Sequence, residues 1–104
     1  MAPIECPFCE VEHKVAVPQI HSNGTAPQDL LESVQAVLSA NRKTLTALGQ
    51  AFPNGRDYYL VPGAYEVVRV QWDARVQALQ RMEVDLVEIR DHIQTVIDFQ
   101  EERR

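Results

Sequence analysis

The chain has 104 residues, of which 24% are charged and 45% hydrophobic, and a formal net charge of -5. That length suits one domain with a modest core, and it makes self-association a natural way to bury more surface. The negative balance gives a DNA or RNA polymer no general electrostatic reason to bind, and no run approaches the roughly 18 apolar residues that a membrane span requires.

Residues 1 to 24 read as an extended N-terminal arm. Pro3, Pro7 and Pro18 punctuate it, and Val11 to Val17 carry the loosely alternating, β-branched pattern of a short extended segment. The opening residues lack the charged-then-apolar order of a signal peptide, so the expected location is the cytoplasm. Cys6-Pro7-Phe8-Cys9 has the C-x2-C spacing at which two thiolates take two corners of a zinc tetrahedron. His13 is the nearest further ligand and His21 the next, but the resulting C-x2-C-x3-H-x7-H order fits no standard finger. A structural zinc on Cys6, Cys9 and His13, a half-site finished by a second chain, a redox pair and two unbound thiols are the readings of this motif. The redox reading lacks the βαβ pattern that accompanies such pairs.

The arm ends in His21-Ser22-Asn23-Gly24-Thr25. Thr25-Ala26-Pro27-Gln28 matches a capping box, with Thr25 covering first-turn amides and Pro27 tolerated where no N–H is needed, which starts a helix at Ala26. One reading is a loop, a glycine for an unusual backbone angle and a good cap. The other is an anion site, in which Gly24 lets backbone approach a ligand, first-turn amides face it, and His21 and Asn23 add polar groups.

Residues 25 to 104 read as an antiparallel helical hairpin of two heptad-patterned helices. The first, to about Phe52, carries Leu31, Val34, Leu38, Asn41, Leu45, Leu48 and Phe52 at alternating spacings of three and four. The second, from Ala64 to about Gln100, carries Tyr65, Val68, Trp72, Arg75, Leu79, Met82, Leu86, Ile89, Ile93 and Val96 in the same rhythm. With Phe52 opposite Tyr65, the two polar interruptions, Asn41 and Arg75, face each other. They would form either a buried polar layer that sets register or a buried ligand-binding arginine.

Between the helices, Asn54 to Gly63 is long for a hairpin connection and rich in recognition groups. Arg56 can fork onto a carboxylate or phosphate, while Tyr58 and Tyr59 offer flat faces and hydroxyls. The competing reading pairs Arg56 with Asp57 and uses a tyrosine to cap the bundle.

Over residues 18 to 98, H-x-N-G-T before one helix and P-N-G-R-D-Y-Y between two helices together resemble a family of small phage and prophage proteins. The resemblance carries His21, Asn23, Gly24 and Thr25 from the first motif, and Asn54, Gly55, Arg56, Asp57, Tyr58 and Tyr59 from the second; the cysteine pair lies outside it. It implies a likeness to the sponges that sequester nucleotide immune signals. The two motifs fall at opposite ends of a hairpin, so one chain cannot join them. An antiparallel homodimer, or a multiple of it, would bring Arg56 of one copy beside Thr25 of the other. Such an oligomeric bundle would also cover Val67, Val76, Val87 and Ile97, which the hairpin seam omits. The expected function is non-enzymatic binding of a small anionic, nucleotide-like ligand between subunits; the alternative is an assembly protein with no small ligand. For an enzyme, His21 or His92 would be the acid–base candidates, but the sequence holds no nucleophile–base pair, complete metal set or phosphate loop.

Overall fold

A computed structural model describes residues 4–5, 12–13, 15–21 and 23–103. Two short strands, β1 (Ile4–Glu5) and β2 (Glu12–His13), pair antiparallel, with Ile4 opposite His13. Two helices follow, α1 (Pro27–Gln50) and α2 (Ala64–Glu102), joined by a loop with one 3-10 turn at Gly55–Asp57. The molecule is an all-helical hairpin with an extended arm. Its extents of 66 × 27 × 21 Å and radius of gyration of 19.3 Å compare with about 13 Å for a compact chain of this length.

Local chemistry explains where the helices begin and end. The capping box on Thr25 does not form. Proline disfavours helical backbone at the residue before it, so Ala26 stays extended at φ -57 and ψ 139 and becomes the N-cap, and Pro27 is the first helical residue. No side chain caps this end. At the other end α1 stops at Gln50, where the Phe52 amide bonds Gly49 and the buried Pro53 has no N–H with which to continue. Phe52 is therefore outside the helix.

The hairpin seam follows most of the predicted stripe on α1, where Leu38 and Asn41 are buried and Leu31, Val34, Leu45 and Leu48 half-buried. On α2 Leu86, Ile89, Ile93 and Val96 keep the predicted beat, half-buried or buried, and the stripe departs from strict heptads only before them, at Arg75 and Met82. Tyr65, Val68, Trp72, Val76 and Leu79 are half-buried, whereas Arg75 and Met82 are exposed. A straight α-helix has 3.6 residues per turn, so its contact stripe drifts off a 3.5-residue beat, and the drift brings in Val76 in place of Arg75. The predicted opposition of Asn41 and Arg75 is thus replaced. Asn41 Nδ2 donates to the Leu79 carbonyl at 3.0 Å, and Trp72 Nε1 donates to the Leu48 carbonyl at 2.9 Å. These two side-chain bonds set a register about one helical turn away from the expected one. Arg75 lies over the Trp72 ring instead, 5.6 Å from its centroid.

Continued along both helices, this register places Pro27 near Ile93 of α2, so the last turns of α2 run past α1. The arm meets them there. The Val15 amide donates to Glu88 at 3.2 Å, His92 Nε2 donates to the Pro18 carbonyl at 2.8 Å, and Val15, Val17, Pro18 and Ile20 are half-buried. Ile93, Val96 and Ile97 are buried alongside. Ile97, expected to need a second copy for cover, is already buried, and Val76 and Val87 are half-buried; of that set only Val67 stays exposed.

Asn41→Asp should cost about 2 kcal/mol in a urea titration, because it sets an acceptor against the Leu79 carbonyl and buries a charge. Asn41→Leu should stay within about 1 kcal/mol of wild type, since that carbonyl keeps its helical partner. Arg75→Leu should likewise change stability by no more than about 1 kcal/mol, the scale of an exposed cation–π contact.

Candidate functional site

The two predicted clusters lie at opposite ends of α1, whose 24 residues separate them by roughly 36 Å. At the arm end, the chain turns so that the Gly24 amide bonds the His21 carbonyl at 3.1 Å. Gly24 does not take the left-handed backbone expected of it; Gly63 alone has that conformation among the described glycines. Its role is close approach. A Cβ at Gly24 would sit 3.0 Å from His21 Nε2, so the missing side chain makes room for the imidazole lying over the turn. His21, Asn23, Gly24 and Thr25 are all exposed. The uncapped amides of α1 open beside them, although Asp29 in the first turn already supplies a negative charge to the helix dipole.

At the other end the loop is a built structure. Asn54 Oδ1 accepts from the Arg56 amide at 3.0 Å, and the Asp57 and Tyr58 amides bond the carbonyls of Asn54 and Gly55. Val61-Pro62-Gly63-Ala64 then makes a second turn, closed by the Ala64 amide on the Val61 carbonyl at 3.1 Å, with Gly63 at φ 81 and ψ -7. Proline followed by left-handed glycine is the residue order of a type II turn. The same glycine is the N-cap of α2.

This frame holds Tyr58 half-buried and leaves Tyr59 73% exposed, with Arg56 and Asp57 both at the surface. The alternative in which Arg56 pairs with Asp57 is not adopted, because neither forms an ion pair with a described residue. Of these four residues only Tyr58 lines the neighbouring apolar cleft of about 540 Å³, whose other walls are Val61, Pro62, Val67 and Val68, with Gln71 also lining it. It is open and shallow. Sequence reasoning missed Val67, Val68 and Gln71 as part of this site, because only the turn at Gly63 brings the first turns of α2 under the loop.

A second cleft of about 530 Å³ runs along α1 and collects Arg42, Lys43 and Arg90. Two of its three cations are already engaged, Arg42 by Glu83 at 2.6 Å and Arg90 by Asp91 at 3.2 Å. Three threonine hydroxyls, of Thr44, Thr46 and Thr95, donate to helical carbonyls four residues back. His92 is buried and tied to the arm. Cys6, Cys9 and the side chain of His13 lie outside the described residues. Within the described residues, no group of three metal-binding side chains occurs, and no helix is long and apolar enough to cross a membrane. No protein-family model, curated protein or solved structure matches the chain.

Gly63→Ala tests the frame of the loop. Holding an L-residue in the left-handed region should cost about 1–2 kcal/mol in thermal or urea unfolding. Gly55→Ala, where a Cβ meets nothing within 4 Å, should cost less.

Proposed function

We propose that the protein is a non-enzymatic binding protein that sequesters a small anionic, nucleotide-like ligand at sites shared between copies, in the manner of phage sponges acting in a host cytoplasm. The observation that carries this reading is the loop at the start of α2. It sets Tyr58 in the wall of an open, largely apolar cleft, and carries close by in sequence an exposed Tyr59 and a guanidinium without an ion-pair partner among the described residues. A base would lie in the cleft against Tyr58 or Tyr59, and Arg56 would take phosphate oxygens through charge-assisted hydrogen bonds. The cleft is open on one side, which favours completion by a second copy. In an antiparallel pair, the His21 to Thr25 turn and the amides of α1 would supply the remaining polar contacts. The engagement of His92 and the threonine hydroxyls in holding the fold supports binding over catalysis.

The second reading, an assembly protein without a small ligand, draws on the exposed apolar tip, where Leu60 is 81% accessible. A thermal-shift panel of mono-, di- and cyclic nucleotides separates the two, because a ligand that binds the folded state raises the melting temperature by mass action.

Arg56→Ala and Asn23→Ala should each abolish nucleotide-dependent stabilisation with helicity unchanged. After full subunit exchange of an equal mixture, half the dimers are mixed, and each mixed dimer has one intact site and one doubly damaged site. Binding should therefore return to about a quarter of the wild-type site count. If exchange is demonstrated by mass spectrometry and no binding returns, the shared site is wrong.

A further inference from the structure

The face of α2 turned away from α1 carries a second stripe that the hairpin does not use. Val67, Val70, Ala74, Gln77, Arg81 and Val84 succeed one another at spacings of three and four, and all six are exposed. The three valines are 57%, 63% and 69% accessible. Solvent-facing valines at the spacing of a coiled-coil seam, on a helix already packed along its other side, mark an unfilled helix-packing surface.

We infer that this stripe is the seam of an antiparallel homodimer, in which Val67 faces Val84 of the second copy, Val70 faces Arg81 and Ala74 faces Gln77. Three features select a second copy as the occupant. The stripe is self-complementary in this register, because each valine near one end meets an apolar residue or the aliphatic stem of Arg81 from the other, with small Ala74 at the centre where the helices come closest. Its charges are complementary too. Arg81 and Asp73 are both exposed, neither forms an ion pair with a described residue, and the register brings each within a turn of the other across the two-fold axis. Finally, the stripe stops where the arm begins. Glu88, at the next seam position, accepts from the Val15 amide, so the second copy and the arm occupy consecutive segments of one face.

This register has a consequence for the ligand site. Ala64, where the loop joins α2, comes level with Val87 of the second copy, next to its docked Val15 and Pro18. The start of that copy's α1 is then about 10 Å further along the axis. Val67 is both a wall of the loop cleft and the end of the seam, so α2 of the second copy would form the cleft's open side. The inference deepens the shared-site reading and rests on it for the ligand alone, since the dimer is measured without one.

The test uses the full chain without nucleotide. Sedimentation velocity should give a dimer of twice 11.8 kDa, and Val67→Glu and Val84→Glu should each give a monomer with unchanged circular dichroism, because both side chains are exposed within the chain. Arg81→Asp and Asp73→Arg should each weaken the dimer at least tenfold, and the double variant should recover it. For register, Val67→Cys/Val84→Cys in a Cys6→Ser/Cys9→Ser background should yield a disulfide-linked dimer under mild oxidation. Those two positions lie roughly 25 Å apart on one helix, so a bond between them can form only across copies. Val37→Cys, on the outer surface of α1, should not cross-link. A wild-type monomer at 50–100 μM concentration, a dimer that survives both glutamates, or cross-linking at Val37 and not at the pair overturns the seam. A dimer with this register that binds no nucleotide would leave the seam standing and sink the ligand reading.

Discussion

The helix α2 has 39 residues and the helix folded against it has 24, so about 22 Å of α2 has no helical neighbour within the hairpin. Much of the rest of the molecule responds to that mismatch. The register set by Asn41 and Trp72 divides the excess between the two ends. At one end the connecting loop folds over the first turns of α2. At the other, the arm lies on α2 through Glu88 and His92, and there the chain has its only fully covered cluster of aliphatic side chains among the described residues, Ile93, Val96 and Ile97.

Both side-chain bonds that set the register end on backbone carbonyls inside the opposite helix. The Leu79 carbonyl lies within α2 and has a second lone pair that Asn41 can use without breaking the helix. The Leu48 carbonyl lies in the last turn of α1, where the Phe52 amide turns to Gly49, so Trp72 supplies a partner that the helix end lacks. A sliding hairpin would lose both donors into an apolar seam, where an unpaired polar group costs about 1–3 kcal/mol. The polar residue in the seam therefore supplies register more than net stability, as a buried asparagine does in coiled coils. The ion pair between Arg42 and Glu83 contributes less, since both groups are substantially exposed and screened by solvent.

Two turns in succession, one held by Asn54 and one by Gly63, position Tyr58 over the cleft and leave Arg56 and Tyr59 facing outward. Both turns hold the backbone of the loop, which lowers the backbone entropy that a ligand would otherwise have to offset. The arm-end turn is simpler, a single hydrogen bond with an imidazole over a glycine. This difference makes the loop the stronger half of the proposed shared site.

What the sequence determined by itself was the set of local preferences. Alternating three- and four-residue spacings specify two long helices, and the recognition groups of the loop between them stand in the sequence itself; the turn by which Pro62-Gly63 starts the second helix emerged only from the backbone. The helix start read at Ala26 from Thr25 and Gln28 lies one residue early, because Pro27 holds Ala26 extended. Only the tertiary structure decided how the helices slide past each other. Patterns of period 3.5 and 3.6 coincide over two turns and diverge over ten, so the spacing could not say whether Arg75 or Val76 enters the seam. Nor could it show that α2 has a buried side and an exposed valine-bearing side, because that depends on which face α1 and the arm take first.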